Sequence, residues 1–348
     1  MIRPRLLVTG AAGWLGRRLV DALVGGLPDH PPPPVLRDAA VRVFVRPEDA
    51  RAVGADPRVE VMSGDLRDPA DCARFCAGAE DAILFHTAGV IHPRRVREFY
   101  AVNVDATRRL VAAAVTAGVR RIVAVSSSAA AGCNPHPDHR FDETSVDRPY
   151  LHYGRSKMLM ERAVQEAGTA GGPEAVVIRA PWFYGPGQPP RQTLFFRMVR
   201  DGKGPIVGRG DNLRSLAYVD DLCHGLVLAA LAPHARGRTY WIADEHAYAM
   251  TEIVDTIERQ LETEFGQRCT HRRLRVPAAA GTAAWLADRG LQAAGVYAQR
   301  LHVLSEIGQS IACCTDRAHR ELGYAPAVTL EEGMRRSLRW VVDHGGLD

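Results

Sequence analysis

The feature that most constrains this chain is a glycine turn set directly between a strand and a helix. Residues 5–8 form an apolar, strand-like run, and Thr9-Gly10-Ala11-Ala12-Gly13-Trp14-Leu15-Gly16 follows it. From Leu15 to residue 24, apolar side chains recur at helical spacing. The three glycines have separate tasks. Gly10 permits a tight turn, Gly13 lets the backbone approach an anion, and Gly16 lets the helix pack closely on the strand. The N–H groups at the start of the helix, from Trp14 and Leu15 onward, are then free for a pyrophosphate. A glycine turn without a ligand is the plain alternative, and the strand-turn-helix position favours a dinucleotide.

The same alternation continues down the chain. Further strand-like runs fall at 41–45, 59–62, 82–85, 122–125 and 175–178, with helical stretches between them, including 99–117 and 153–167. Repeated β-α-β units predict an α/β fold, a Rossmann-type doubly wound parallel sheet. Beyond residue 180 the texture shifts to glycine and proline loops, such as Tyr184-Gly185-Pro186-Gly187, and to helices with fewer strands. We read residues 1–180 as a dinucleotide-binding domain and 181–348 as a smaller C-terminal substrate-binding lobe interleaved with it.

Composition narrows the class. Hydrophobic residues make up 46% of the 348 and charged residues 24%, which excludes disordered, collagen-like and coiled-coil chains. The longest apolar stretch, 277–287, is broken by Asp288 and Arg289, short of the roughly 20 residues of a membrane span. The apolar run after Met1-Ile2-Arg3-Pro4-Arg5 is too short for a signal-peptide core, so a cytoplasmic protein is expected. Seven cysteines are scattered, without the paired C-x-x-C spacing of a zinc site, and read as reduced thiols. The net charge of +4 carries no basic tail or aromatic-interleaved stripe, so no nucleic-acid partner is predicted.

Several residues carry the chemistry. The second strand ends at Arg46, where an acidic residue would bond the ribose 2′-hydroxyl of NAD. An arginine fork instead suits the 2′-phosphate of NADP, so NADP (NADPH) is the expected cofactor. A solvated surface arginine is the alternative, and Glu48 and Asp49 keep NAD open. Asp65, after the third strand, is placed to meet the adenine amino group or to cap a helix. Tyr153 and Lys157 stand four apart on one helical face. Only two of the 44 basic residues are lysines, Lys157 and Lys203, so a lysine at this spacing stands out. Its ammonium would favour the phenolate of Tyr153, which could then act as acid or base toward a carbonyl oxygen. Ser126, Ser127 and Ser128 end the fifth strand, where sheet C-termini form a ligand crevice.

Taken together, these residues resemble the extended short-chain dehydrogenase/reductase superfamily, with its NAD-dependent epimerase/dehydratase and 3β-hydroxysteroid dehydrogenase groups. The resemblance also rests on Gly64-Asp65-Leu66, His86-Thr87-Ala88-Gly89, Asn103-Val104, Arg179 to Gly187, Tyr218-Val219-Asp220-Asp221 and Glu321 to Pro326. It implies Tyr153 as catalytic acid/base and Lys157 as the residue that holds the nicotinamide ribose and tunes Tyr153. Counting back five residues from Gly132 selects Ser127 as the catalytic serine. It further implies that Asp65 and Leu66 lie at the adenine, Thr87, Ala88 and Gly89 along the cofactor, Asn103 at the crevice and Pro181 against the nicotinamide. A homodimer through the helices bearing Asn103 and Tyr153 follows from the same resemblance.

Departures from the family pattern narrow the reaction. Sugar dehydratases of this type carry Thr-Asp-Glu where this chain has Ser127-Ser128-Ala129, so the groups that eliminate water are missing. The expected activity is NADP-dependent interconversion of a ketone and a secondary alcohol on an apolar, steroid-like or natural-product small molecule. An NAD-dependent nucleotide-sugar 4-epimerase, with Arg214 on a phosphate, is the second reading, and a non-catalytic NADP-binding sensor the third. The stretch 277–296, with Trp285, reads as an apolar pocket wall or a core helix, and Arg94, Arg95 and Arg97 as an acid-attracting or merely solvated face.

Overall fold

The computed structural model describes residues 5–53 and 56–347, so the first four residues of the N-terminal run lie outside the described residues. Its first half runs β1 (Arg5–Thr9), α1 (Trp14–Val24), β2 (Ala40–Val45), β3 (Val59–Ser63), α2 (Pro69–Cys76) and β4 (Ile83–His86). Then come α3 (Val96–Phe99), a π-helical turn (Tyr100–Ala106), α4 (Thr107–Thr116), β5 (Arg121–Ser127), α5 (Leu151–Thr169) and β6 (Glu174–Ala180). The second half contains β7 (Trp182–Tyr184), α6 (Pro190–Arg200), β8 (Pro205–Val207), β9 (Leu213–Arg214), β10 (Leu216–Tyr218) and α7 (Val219–Leu231). It closes with β11 (Arg238–Trp241), β12 (Tyr248–Ala249), α8 (Met250–Thr263), β13 (Leu274–Val276), α9 (Ala278–Ala293), α10 (Gln299–Ile307) and α11 (Leu330–Asp343).

Seven strands form one parallel sheet in the order β3-β2-β1-β4-β5-β6-β11. Its central strands β1 and β4 are apolar without alternation because helices cover both faces, whereas edge strand β3 is largely exposed. The two-residue period sorts them between two cores. Leu6, Val8, Val41, Val43, Ile83 and Phe85 face α1 and α7, while Leu7, Phe44, Leu84, Ile122 and Ala124 face α2, α4 and α5. Each fully buried Leu, Val or Phe contributes about 1.5–3 kcal/mol, which fixes the strand register.

The chain crosses residue 180 in both senses. β11 returns from the second half to pair with β6, and α7 packs on α1. Buried Asp220 at the start of α7 takes Arg18 of α1 at 2.5 and 2.7 Å, and Asp221 accepts from Ala327 and Val328 N–H and pairs with His30 at 2.6 Å. The Tyr218 to Asp221 motif therefore joins distant segments. A separate core gathers α6, α8 and α11 around Tyr184 and Tyr218. The second half holds more strands than the sequence reading allowed, in the pairs β7–β10, β9–β12 and β8–β13. At two or three residues each, they are too short to show a period. Among the described residues, no helix is long and apolar enough to cross a membrane.

Candidate active site

Because the strands are parallel, their carboxyl ends share one edge, and the residues singled out from the sequence collect there. Gly10 has φ +74°, and a Cβ on it would lie 2.7 Å from Ala88 N, so the turn presses directly on the loop after β4. A Cβ on Gly16 would stand 2.1 Å from the Gly10 carbonyl oxygen. Gly13 is the cap of α1, with no side-chain cap and no acidic residue in the first turn. The only neighbour within 4 Å of a Cβ on Gly13 would be the Gly10 oxygen at 3.2 Å. This open, uncapped helix start fits a pyrophosphate. The Trp14 side chain points elsewhere: its Nε1 donates to Pro186 O at 2.7 Å and its ring meets Phe183 at 4.7 Å, tying the turn to the second half of the chain.

At the adenosine end, Arg46 follows β2, 68% exposed, and is bonded to Glu48 at 3.0 Å and Asp49 at 2.8 Å. Asp65 follows β3. Its carboxylate accepts from the Arg67 N–H at 2.9 Å and from the guanidinium at 2.6 Å, and Arg67 holds it below the ordinary carboxylate range. Asp68, not Asp65, caps α2 through Ala70 N–H. Leu66 is partly buried against the core beside α2.

Thr87, Ala88 and Gly89 run from β4 along the glycine turn, with Thr87 Oγ1 donating to Thr9 O at 2.6 Å. Asn103 sits on the π-helical turn, fully buried. It accepts from Val90 N–H at 2.8 Å and donates to Val90 O and Ser156 Oγ, both at 3.0 Å, so it braces the loop that carries Gly89. His86 bridges Thr9 and Thr107, and burial drives its pKa down to about 3, leaving it neutral.

The three serines separate. Ser126 is buried and donates to Glu161, itself clamped by Arg179. Ser127 opposes Ala180 in the sheet register, one residue before Pro181, and its hydroxyl lies beside the Tyr153 phenol. Ser128 begins a short helical turn. Tyr153 and Lys157 share the inner face of α5, and Tyr153 packs on Phe99 with ring centroids 5.7 Å apart.

Their electrostatics differ from the sequence expectation. Burial pushes the Tyr153 phenol up to about 12; Ser127 and the Arg191 cation offset part of this, and the Glu306 carboxylate adds to it. Lys157 is buried and donates to Val125 O at 2.6 Å, and burial brings its ammonium down to about 8. In this arrangement Lys157 is occupied with the backbone and does not lower the phenol.

Between α9, α10 and the start of α5 lies a buried polar cluster that sequence reasoning missed. Helix α9 turns Ala284, Asp288 and Gln292 inward and leaves Leu286 and Leu291 at 57% and 39% exposed, while Trp285, with Thr282 and Arg289, lines a cavity shared with Cys133, Pro149 and Tyr150. Asp288 bonds His302 Nδ1 at 2.8 Å, and Gln292 donates to Asp288 at 2.9 Å. Tyr297 stacks edge-on against Phe99 and bonds His92 at 2.7 Å. Arg214, 10% exposed, is engaged by Glu306 Oε1 at 2.9 Å. The spacing of Asp288 and Gln292, four apart on one helical face, was the available signal. Arg94, Arg95 and Arg97 are exposed.

Comparison with known proteins gives a consistent picture. The model of the NAD dependent epimerase/dehydratase family matches residues 6–243. The uncharacterized protein y4nL of Sinorhizobium fredii is 48% identical over 346 residues, covering 98% of this chain and 96% of that protein. A 4-hydroxy-2-methyl-3-oxo-4-farnesyl-3,4-dihydroquinoline-1-oxide ketoreductase of Stigmatella aurantiaca is 30% identical, covering 95% of this chain and 94% of the relative. Among solved structures, a double mutant of DesIV (dTDP-glucose 4,6-dehydratase) of Streptomyces venezuelae, with NAD and DAU bound, is 27% identical. It superposes with a TM-score of 0.73 over 98% of both chains.

Proposed function

Because the chain belongs to the NAD dependent epimerase/dehydratase family of the extended short-chain dehydrogenase/reductase superfamily, we propose that it interconverts a ketone and a secondary alcohol with NADP, Tyr153 serving as acid and base. The observation that carries this reading is the meeting of Ser127, Tyr153 and buried Lys157 at the sheet edge that also holds the open glycine turn. The full-length likeness to a ketoreductase supports it.

When bound, the nicotinamide supplies the hydride to the carbonyl carbon. The rest falls to the chain. Trp14 and Leu15 offer backbone N–H groups to the pyrophosphate, and Gly13, whose own N–H closes the turn on Gly10 O, leaves room for its approach. Asp65 and Leu66 border the adenine, and Thr87, Ala88, Gly89 and Pro181 line the path between. Asn103 is a positioning residue. Lys157 holds the ribose, Ser127 and Tyr153 hold the carbonyl oxygen, and the phenol donates its proton as negative charge develops there. The 181–348 lobe supplies the facing wall of the substrate crevice. A homodimer in the cytoplasm, through the helices bearing Asn103 and Tyr153, completes the proposal.

A phenol near 12 has a directional consequence. Reduction uses the protonated phenol, which persists across neutral pH, so its rate should stay flat up to about pH 8, where Lys157 begins to lose its charge. Oxidation uses the phenolate and should rise about tenfold per pH unit from neutrality to about pH 8, above which loss of the Lys157 charge flattens the rise. Profiles of kcat/KM in both directions check this, and an oxidation rate already level at pH 7 would contradict it.

NADP selection rests on Arg46, which must exchange Glu48 and Asp49 for the 2′-phosphate. Calorimetric titration of wild type and Arg46→Ala with NADPH and NADH tests it. Wild type should prefer NADPH, and the variant should lose about 1.5–3 kcal/mol of that preference, as for a charge-assisted hydrogen bond. The second reading, a nucleotide-sugar 4-epimerase with retained NAD, is favoured by the NAD-bound dehydratase structure. NAD co-purifying with the protein would decide for it.

A further inference from the structure

Hydride transfer leaves the Arg214–Glu306 pair without a task. Arg214 lies on β9, its guanidinium 10% exposed, held by Glu306 Oε1 at 2.9 Å and by the carbonyl oxygens of Glu306 and Gln309 at 3.3 and 3.4 Å. A buried guanidinium fork of this kind is suited to phosphate as well as carboxylate. The structural relative named as a dTDP-glucose 4,6-dehydratase takes, by that name, a substrate with a diphosphate. Here an internal carboxylate occupies the fork.

That carboxylate faces the crevice. Its negative charge is felt at the Tyr153 phenol, at Tyr297 and at His92. Burial pushes Glu306 upward, yet the Arg214 guanidinium bonded to it outweighs this and holds the carboxyl below its usual range. The second oxygen, Oε2, is 3.8 Å from His302 Nε2, and His302 is fixed from its other side by Asp288. The assembly is rigid because Tyr150, three residues before Tyr153, bonds Ser305 at 2.8 Å and packs its ring on His302. Glu306 is thus a fixed anion on the guanidinium that a phosphate could otherwise pair with.

We propose that Glu306 is a specificity-determining residue that neutralises Arg214 and keeps diphosphate-bearing molecules out, so that the substrate ketone is uncharged at this end of the crevice. The proposal rests on the preceding reading only in taking the space before Tyr153 as the substrate's seat. Its test is binding, without turnover: calorimetric titration of the full chain with dTDP, for wild type, Glu306→Gln, Glu306→Ser and the double variant Glu306→Gln/Arg214→Gln. Melting temperature and dinucleotide binding verify that each variant is folded. Wild type should bind dTDP no tighter than about 1 mM, either single variant at Glu306 should gain tenfold or more, and the double variant should lose the gain. Micromolar dTDP binding by wild type overturns the proposal and needs no variant. So does a folded Glu306 variant that binds no better than wild type. Since none of these readouts involves Tyr153, the hydride-transfer reading stands or falls separately.

Discussion

Replacing Tyr153 with Phe is expected to lower kcat about 10³-fold, within the range usual for loss of a positioned acid or base, while dinucleotide affinity stays within about twofold. The separation follows from where the parts sit. The phenol oxygen adjoins Ser127, whereas the pyrophosphate cradle is built from backbone at Gly10 to Gly16, in the turn between β1 and α1. The ring contact with Phe99 at 5.7 Å survives in the variant, so folding should be unaffected. Steady-state rates with a ketone found by screening, set beside calorimetry with NADPH, measure both quantities. A variant that retained more than a tenth of wild-type kcat would remove Tyr153 from its role.

The second large effect concerns Gly16. A methyl group there would sit 2.1 Å from the Gly10 carbonyl oxygen and 2.9 Å from Thr87 Oγ1. The Gly10 backbone cannot retreat, because its own Cβ position is already 2.7 Å from Ala88 N. Gly16→Ala must therefore lift α1 from the turn, at a cost of about 1–3 kcal/mol or more in stability. The same shift withdraws the Trp14 and Leu15 N–H groups, and dinucleotide affinity should fall about a hundredfold. Gly13→Ala provides the contrast. Its added carbon meets only the Gly10 oxygen at 3.2 Å, so the chain should keep nearly its full stability while the methyl crowds the pyrophosphate. Denaturant melts and NADPH titration distinguish the two.

The first 180 residues were legible because fully buried parallel strands alternate with amphipathic helices long enough to carry a period. β11 was not, since its four residues pair with β6 across an intervening stretch of about 60 residues, and nothing local announces that partner. Among the site residues, Ser127 was singled out by its distance from Gly132. In the structure the neighbouring Ser126 is engaged by Glu161. The surroundings of Tyr153 were not legible because burial depends on tertiary packing, and so does the turning of Lys157 toward Val125. The polar cluster was hidden for a related reason. Overall hydropathy made α9 look apolar, whereas only the fold decides that Asp288 and Gln292 face inward.

The scarcity of lysine has a consequence for chemical labelling. Apart from the N-terminal amine, an acylating reagent meets two amines in this chain: Lys203, 74% exposed, and Lys157, 7% exposed beneath the crevice. Lys203 reacts first and leaves the crevice untouched. Inactivation therefore reports a second, slower stoichiometric event at a single nitrogen, and the rate of that event measures how often the crevice floor opens to solvent.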